Sequence, residues 1–121
     1  MSNILVIDDE ANNRLLLTII LEHAGHAVFE AANGIDGLRI ARERLPDLVI
    51  VDLYMPEMNG ASFIKALRAD SEIGGVNVAL YTGTALNDAM RAFMEISGIE
   101  HVIPKPGEPA DILQSVREAL G

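Results

Sequence analysis

No cysteine occurs anywhere in the chain, which excludes disulfide staples, thiol redox chemistry and thiolate metal sites. No apolar run approaches the roughly 18 residues that a membrane-crossing helix needs. The opening residues MSNILVIDDE meet acids before a signal-peptide pattern could develop. Basic residues are scarce as well: 9 Lys and Arg stand against 18 Asp and Glu, giving a net charge of −9 and a pI near 4.6. Such a balance argues against direct contact with nucleic acid or a membrane surface, and favours cations and basic protein surfaces as partners. Repeats, low-complexity tracts and long charge runs are also missing, so the 121 residues are expected to form a single domain over 1–121, cytoplasmic by default.

What the chain does have is hydrophobic content, 50% of its residues, arranged in short runs that stop at polar groups. The stretch LVIVDLYMPEMNG, from Leu48 to Gly60, is the most informative. Leu48 to Val51 is an unbroken apolar run of strand length, and such runs belong to strands buried on both faces. Asp52 follows it directly, and Pro56 and Gly60 then break the chain into a loop that holds the carboxylate at its mouth.

The rest of the chain repeats this alternation. Ile4 to Ile7 predicts a first strand ending in Asp8, Asp9 and Glu10, and a helix follows from about Asn13 to Ala24 with Leu17, Ile20, Leu21 and Ala24 inward and Gly25 as its stop. Leu15 and Ile19 fall on the opposite side of that helix and face water unless a partner docks there. A second strand is expected at His26 to Ala31, a turn at Asn33-Gly34, and a helix from Ile35 to Arg44 with Leu38, Ala41 and Leu45 inside, ended by Pro46. Asn59 caps a third helix carrying Phe63, Ala66 and Leu67 inward. A Gly-Gly turn leads to a strand at Asn77 to Tyr81 that ends in Thr82-Gly83-Thr84. A helix at Leu86 to Ser97, a brief strand at His101 to Ile103 ending in Pro104-Lys105-Pro106, and an amphipathic helix at Asp111 to Leu120 complete the chain.

Five strands alternating with five helices predict an α/β fold with right-handed crossovers and a parallel sheet covered on both faces. Such sheets place their sites outside the carboxyl ends of the strands. Asp8, Asp9, Asp52, Thr82 and Lys105 all lie there, and Pro104 suits an edge strand. Three carboxylates in one cleft repel each other, and a divalent cation resolves the conflict; an all-oxygen set with room for water suits Mg²⁺, which also recruits phosphate oxygens. Lys105 and the Thr82 hydroxyl could neutralise and hydrogen-bond a transferred phosphoryl group, with Asp52 as nucleophile.

The wording and spacing of IDDE at Ile7 to Glu10, DLYMPEMNG at Asp52 to Gly60, Thr82, and Lys105-Pro106 resemble the response-regulator receiver domain of two-component phosphorelay signalling, along essentially the whole chain. The resemblance implies a flavodoxin-like (βα)5 fold with strand order 2-1-3-4-5. It implies that Asp52 is the phosphoacceptor, Asp9 a direct Mg²⁺ ligand, Asp8 a ligand through water, and the Tyr54 carbonyl the last protein ligand. Thr82 is implied as the switch hydroxyl and Lys105 as the phosphoryl-binding amine, with the Lys105-Pro106 bond of a kind usually cis in the family. The implied donor is a histidine kinase or histidine phosphotransfer protein, and the output a downstream protein or an attached domain. On this reading the domain is a phosphoacceptor switch that assists its own phosphorylation and dephosphorylation, not an enzyme in the usual sense.

Several positions depart from the family pattern. Val102 stands where an aromatic switch residue is common, leaving open whether Tyr81 compensates, and Gly83 and Gly107 are expected to loosen the loops around the site. Tyr54 could restrict the water that hydrolyses an aspartyl-phosphate. Two rival readings are a receiver fold that works as an interaction module without phosphorylation, disfavoured by the intact site, and a Mg²⁺-dependent phosphatase with an aspartyl nucleophile. The second is disfavoured because Tyr54 occupies the place of the general acid in its D-x-D motif.

Overall fold

A computed structural model describes the whole chain except Tyr54, Pro56, Glu57, Thr84, Ala85 and Pro106. The apolar runs become β1 (Asn3–Ile7), β2 (Ala27–Ala31), β3 (Leu48–Asp52), β4 (Asn77–Thr82) and β5 (His101–Pro104). They pair in parallel in the order β2-β1-β3-β4-β5. Between and after them run α1 (Ala11–His23), α2 (Gly34–Arg44), α3 (Gly60–Arg68), α4 (Asp88–Ile96) and α5 (Pro109–Leu120). The order implied by the resemblance is thus the order found, and β5, which ends in Pro104, is an edge strand.

Strand alternation divides the core into two layers. Leu5, Ile7, Val49, Val51, Val78 and Leu80 face α2, α3 and α4, meeting Leu38, Phe63, Leu67 and Met94. Ile4, Val6, Leu48, Ile50, Ala79 and Tyr81 face α1 and α5, meeting Leu17, Leu21, Ile112 and Val116. β3 lies at the centre and contributes to both layers, which is why all five of its residues are buried. Asp52 therefore stands at the end of a central strand that is buried along its whole length.

The helix ends differ from the sequence expectations in instructive ways. α1 starts at Ala11, two residues early, because the Asp8 carboxylate takes the Glu10 N–H at 2.9 Å and so turns the chain at once. Ala24 is the C-terminal cap and exposed, not part of the inner face. Asn33 caps α2, its side chain accepting the Asp36 N–H at 2.8 Å, so the expected turn is the start of the helix. Leu45 was expected inside; Pro46 disfavours a helical conformation for it, and it turns left-handed at φ 48° and is 61% exposed. Asn87 caps α4 and delays its start to Asp88, while Pro109 opens α5 two residues before Asp111. Asn59 caps α3 as expected.

The long α3–β4 connection is tied down by two charged residues that no periodicity picks out. Arg68, at the end of α3, donates to the carbonyls of Gly74, Val76 and Ser97 at 2.7, 2.6 and 2.8 Å, joining that connection to the end of α4. Asp70 accepts the N–H groups of Glu72 and Ile73 and pairs with Arg42, contacts that hold its carboxyl below the usual range, the Glu72 bond foremost. Replacing Arg68 by Met leaves three carbonyls without their donor and is expected to cost about 2–4 kcal/mol, measured by urea unfolding. A loss below about 1 kcal/mol would show that water replaces the guanidinium freely.

Candidate functional site

The parallel sheet brings the carboxyl ends of β1, β3, β4 and β5 to one edge of the molecule. Asp8 leaves β1 fully buried, Asp52 ends β3 at 6% exposure and Thr82 ends β4 at 6%. Lys105 follows β5 and reaches across: its Nζ lies 3.1 Å from Asp8 Oδ2 and 3.3 Å from Asp52 Oδ2. Asp9 is exposed at the rim. Asp8, Asp9 and Asp52 each offer one carboxylate oxygen, all within 4.8 Å of one another. The structure thus gathers Asp8, Asp9, Asp52, Thr82 and Lys105 from four strand ends, while Tyr54 and the Lys105-Pro106 bond lie outside the described residues.

Lys105 stays firmly charged in this setting. Partial burial by itself lowers its pKa, but the hydrogen bond it donates to Asp8 and the charges of Asp52 and Asp8 outweigh burial and leave it raised. The ammonium therefore balances part of the negative charge that β1 and β3 deliver. Oxygen-only donors in a partly open cluster fit a hard cation such as Mg²⁺, with the rim carboxylate of Asp9 on the solvent side.

The β1–α1 corner is built around Asp8. Its N–H donates to Ala31 O at 3.1 Å, its carbonyl accepts from Arg14 Nη1 at 2.7 Å, and Arg14 in turn pairs with Glu30 at 3.3 Å. Arg14 and Glu30 were missed by the sequence reading; they match no motif, and their meeting depends on the β1–β2 register that sets Val6 beside Glu30. On the other side, the Gly60 N–H donates to Leu53 O at 2.9 Å and ties the start of α3 to the end of β3.

The structure shows how Gly83, Gly107 and Tyr81 sit around the site. Gly83 and Gly107 do not mark empty space: a Cβ on Gly83 would run into the Lys105 carbonyl, and one on Gly107 would stand 2.8 Å from Pro104 O. Glycine at 83 lets the backbone directly after β4 press against the backbone of Lys105, so there the glycine serves close approach. Tyr81 does not replace an aromatic at 102, because the two residues face opposite sides of the sheet. Val102 packs half-buried on the α2–α4 layer, whereas Tyr81 is buried in the α1–α5 layer, its ring centroid 5.0 Å from Lys105 Nζ.

A parallel five-stranded sheet with an acidic cluster and a lysine at the ends of its strands defines a class of protein. The chain belongs to the response regulator receiver domain family, whose model matches residues 4–117. Among curated proteins it is 32% identical to the protein PilH of Pseudomonas aeruginosa over 120 residues, covering 99% of this chain and 98% of PilH. It is 37% identical over 118 residues to the DNA-binding response regulator MtrA of Mycobacterium tuberculosis, covering 97% of this chain but 50% of MtrA, so it spans about half of that relative's length. The chemotaxis protein CheY4 of Vibrio cholerae superposes with a TM-score of 0.92 at 27% identity, covering 98% of each chain.

If the three carboxylates hold Mg²⁺, the ion stabilises the folded state in proportion to its occupancy, by about 2.7 kcal/mol at a hundredfold excess over its Kd. Thermal unfolding with and without Mg²⁺ is expected to show a rise in midpoint for the wild type and little or none for Asp9→Asn. An equal rise in both proteins would contradict a site that includes Asp9.

Proposed function

We propose that this receiver takes a phosphoryl group onto Asp52 from a phosphohistidine of a partner protein, a histidine kinase or a histidine phosphotransfer protein, and changes its protein-binding surface in response. The observation that carries this reading is the Lys105 ammonium seated between the Asp8 and Asp52 carboxylates with Asp9 alongside. An Asp52 oxygen attacks phosphorus, the P–N bond to the donor imidazole breaks, and the imidazole leaves with the bonding pair. Asp8, Asp9 and Asp52 would hold Mg²⁺, which supplies charge neutralisation at the phosphoryl oxygens when bound. Lys105 neutralises further charge on those oxygens, and the Thr82 hydroxyl donates a hydrogen bond to them. Attack of water on the acyl phosphate later returns Asp52 to a carboxylate and releases phosphate, so the domain is a switch that assists its own chemistry.

Switching follows from what the phosphoryl group draws toward it. In the unmodified protein Lys105 is engaged by carboxylates; a phosphoryl group on Asp52 offers it and Thr82 new acceptors and biases the loops after β4 and β5 together. The close passage of Gly83 over the Lys105 backbone supports joint movement of those loops. The output is contact with a downstream protein or with an attached domain, and a cytoplasmic location accords with a histidine kinase as donor.

A protein donor must cover the cleft, and α1, which begins just after Asp8 and Asp9, leaves Leu15, Leu16 and Ile19 exposed at 55, 45 and 57%. Incubation with acetyl phosphate and Mg²⁺ is expected to give an acid-labile phosphoprotein with the wild type and none with Asp52→Asn. Labelling of the variant at the wild-type level would refute the assignment. The double change Leu15→Lys, Ile19→Lys is expected to slow transfer from a phosphorylated protein donor about tenfold or more while leaving acetyl phosphate labelling intact; equal slowing of both would remove α1 as the donor surface.

A further inference from the structure

We infer that Tyr81 is a positioning residue for phosphoryl transfer: its buried ring is the platform that holds the Lys105 ammonium at the cleft. The inference rests on Lys105 being the phosphoryl-binding amine. A lysine side chain has four rotatable bonds and a strongly hydrated head, so nothing intrinsic keeps its ammonium beside two buried carboxylates instead of in water. Here the Nζ lies 5.0 Å from the Tyr81 ring centroid, within cation–π range. The same Nζ contacts Asp8 and Asp52, so the ring and the two carboxylates confine it together.

Topology explains why residue 81 is suited to this task. The β3–β4 register sets Tyr81 beside Asp52, and the β4–β5 register sets it beside Ile103, two residues before Lys105. Tyr81 is 2% exposed and packed among Ile103, Ile112 and neighbouring residues of the α1–α5 layer, so the ring cannot turn away. Alternation sends Thr82, the next residue, off the opposite side of the strand. One strand end therefore supplies both the platform for the lysine and the hydroxyl expected to meet the phosphoryl group. An aliphatic side chain at 81 could fill the same core space and would offer the ammonium no π-face, which separates a positioning role from simple packing.

The test is a double-mutant cycle between Tyr81 and Lys105, read by the rate of acetyl phosphate labelling with Mg²⁺. Tyr81→Leu is expected to slow labelling roughly five- to tenfold and Tyr81→Phe to stay within about twofold of wild type. In a Lys105→Ala background the same Tyr81→Leu change is expected to have no further effect, since it acts only through the lysine. A full Tyr81→Leu loss in that background would overturn the inference and leave Tyr81 a packing residue. NMR gives an independent readout: the Lys105 Hε protons should be shifted upfield by the ring in wild type and Tyr81→Phe, and lie at ordinary lysine values in Tyr81→Leu. Ordinary values in the wild type would also overturn it. Should Tyr81→Leu fail to fold, Phe and a ring-fluorinated Phe placed at 81 by site-specific incorporation keep the volume while weakening the π-face. Slower labelling with fluorination supports the platform, and unchanged labelling refutes it. If Lys105→Ala alone leaves labelling unchanged, the role given to Lys105 falls, and the Hε shift still decides whether Tyr81 seats it.

Discussion

One ammonium among carboxylates is the constraint around which this molecule is arranged. Asp8 and Asp52 are buried at adjacent strand ends, where two negative charges at short range repel strongly and lose most of their hydration. Lys105 makes that arrangement tolerable by contacting both, and its own charge is secured by them in turn. Among the described residues the acidic cluster holds three carboxylates, and Lys105 contacts two of them. A site left net negative and partly open has an appetite for a cation, and a cation plus a lysine has an appetite for a phosphoryl group. The chemistry proposed for Asp52 follows from this imbalance.

The fold serves the constraint by making each charged group the end of something rigid. β3 is buried along its whole length and carries Asp52. β1 carries Asp8, whose backbone and carboxylate are both engaged, by Ala31, Arg14 and Glu10. Lys105 comes from the edge strand, the least enclosed of the four, and has the longest side chain. Its placement therefore depends most on neighbours, and Tyr81 and Gly83 lie against its side chain and backbone respectively. The group with the greatest freedom is also the one that a phosphoryl group would draw away. A switch needs one such movable element among fixed ones.

Much of this was legible in the sequence because it depends on local chemistry. Apolar runs of strand length ending in Asp8 and Asp52, Asn59 capping α3 and Gly25 after a helix all state their roles within a few residues. Convergence of the site followed from the α/β alternation, since parallel sheets bring strand ends together. Strand order did not follow from it, and came only with the likeness to receivers. What stayed hidden depends on register and on which face a residue takes. The Arg14–Glu30 pair, the Arg68 clamp and the Lys105–Tyr81 contact each join residues far apart in sequence, and none has a spacing that announces it. Gly83 and Gly107 are ambiguous in sequence for the same reason: glycine permits both freedom and close approach, and only the neighbouring backbone reveals the close approach. Leu45 misled because helical periodicity was carried one residue too far, into the position that Pro46 controls.

The account stands or falls on which atom receives the phosphoryl group. Reduction of the phosphorylated protein with borohydride converts an aspartyl-phosphate to homoserine, and peptide mass spectrometry then locates the changed residue. The account predicts homoserine at position 52 alone, formed only when Mg²⁺ and a phosphodonor were both present. Homoserine at Asp8 or Asp9, or a stable phosphate on Thr82 with none at Asp52, would contradict it.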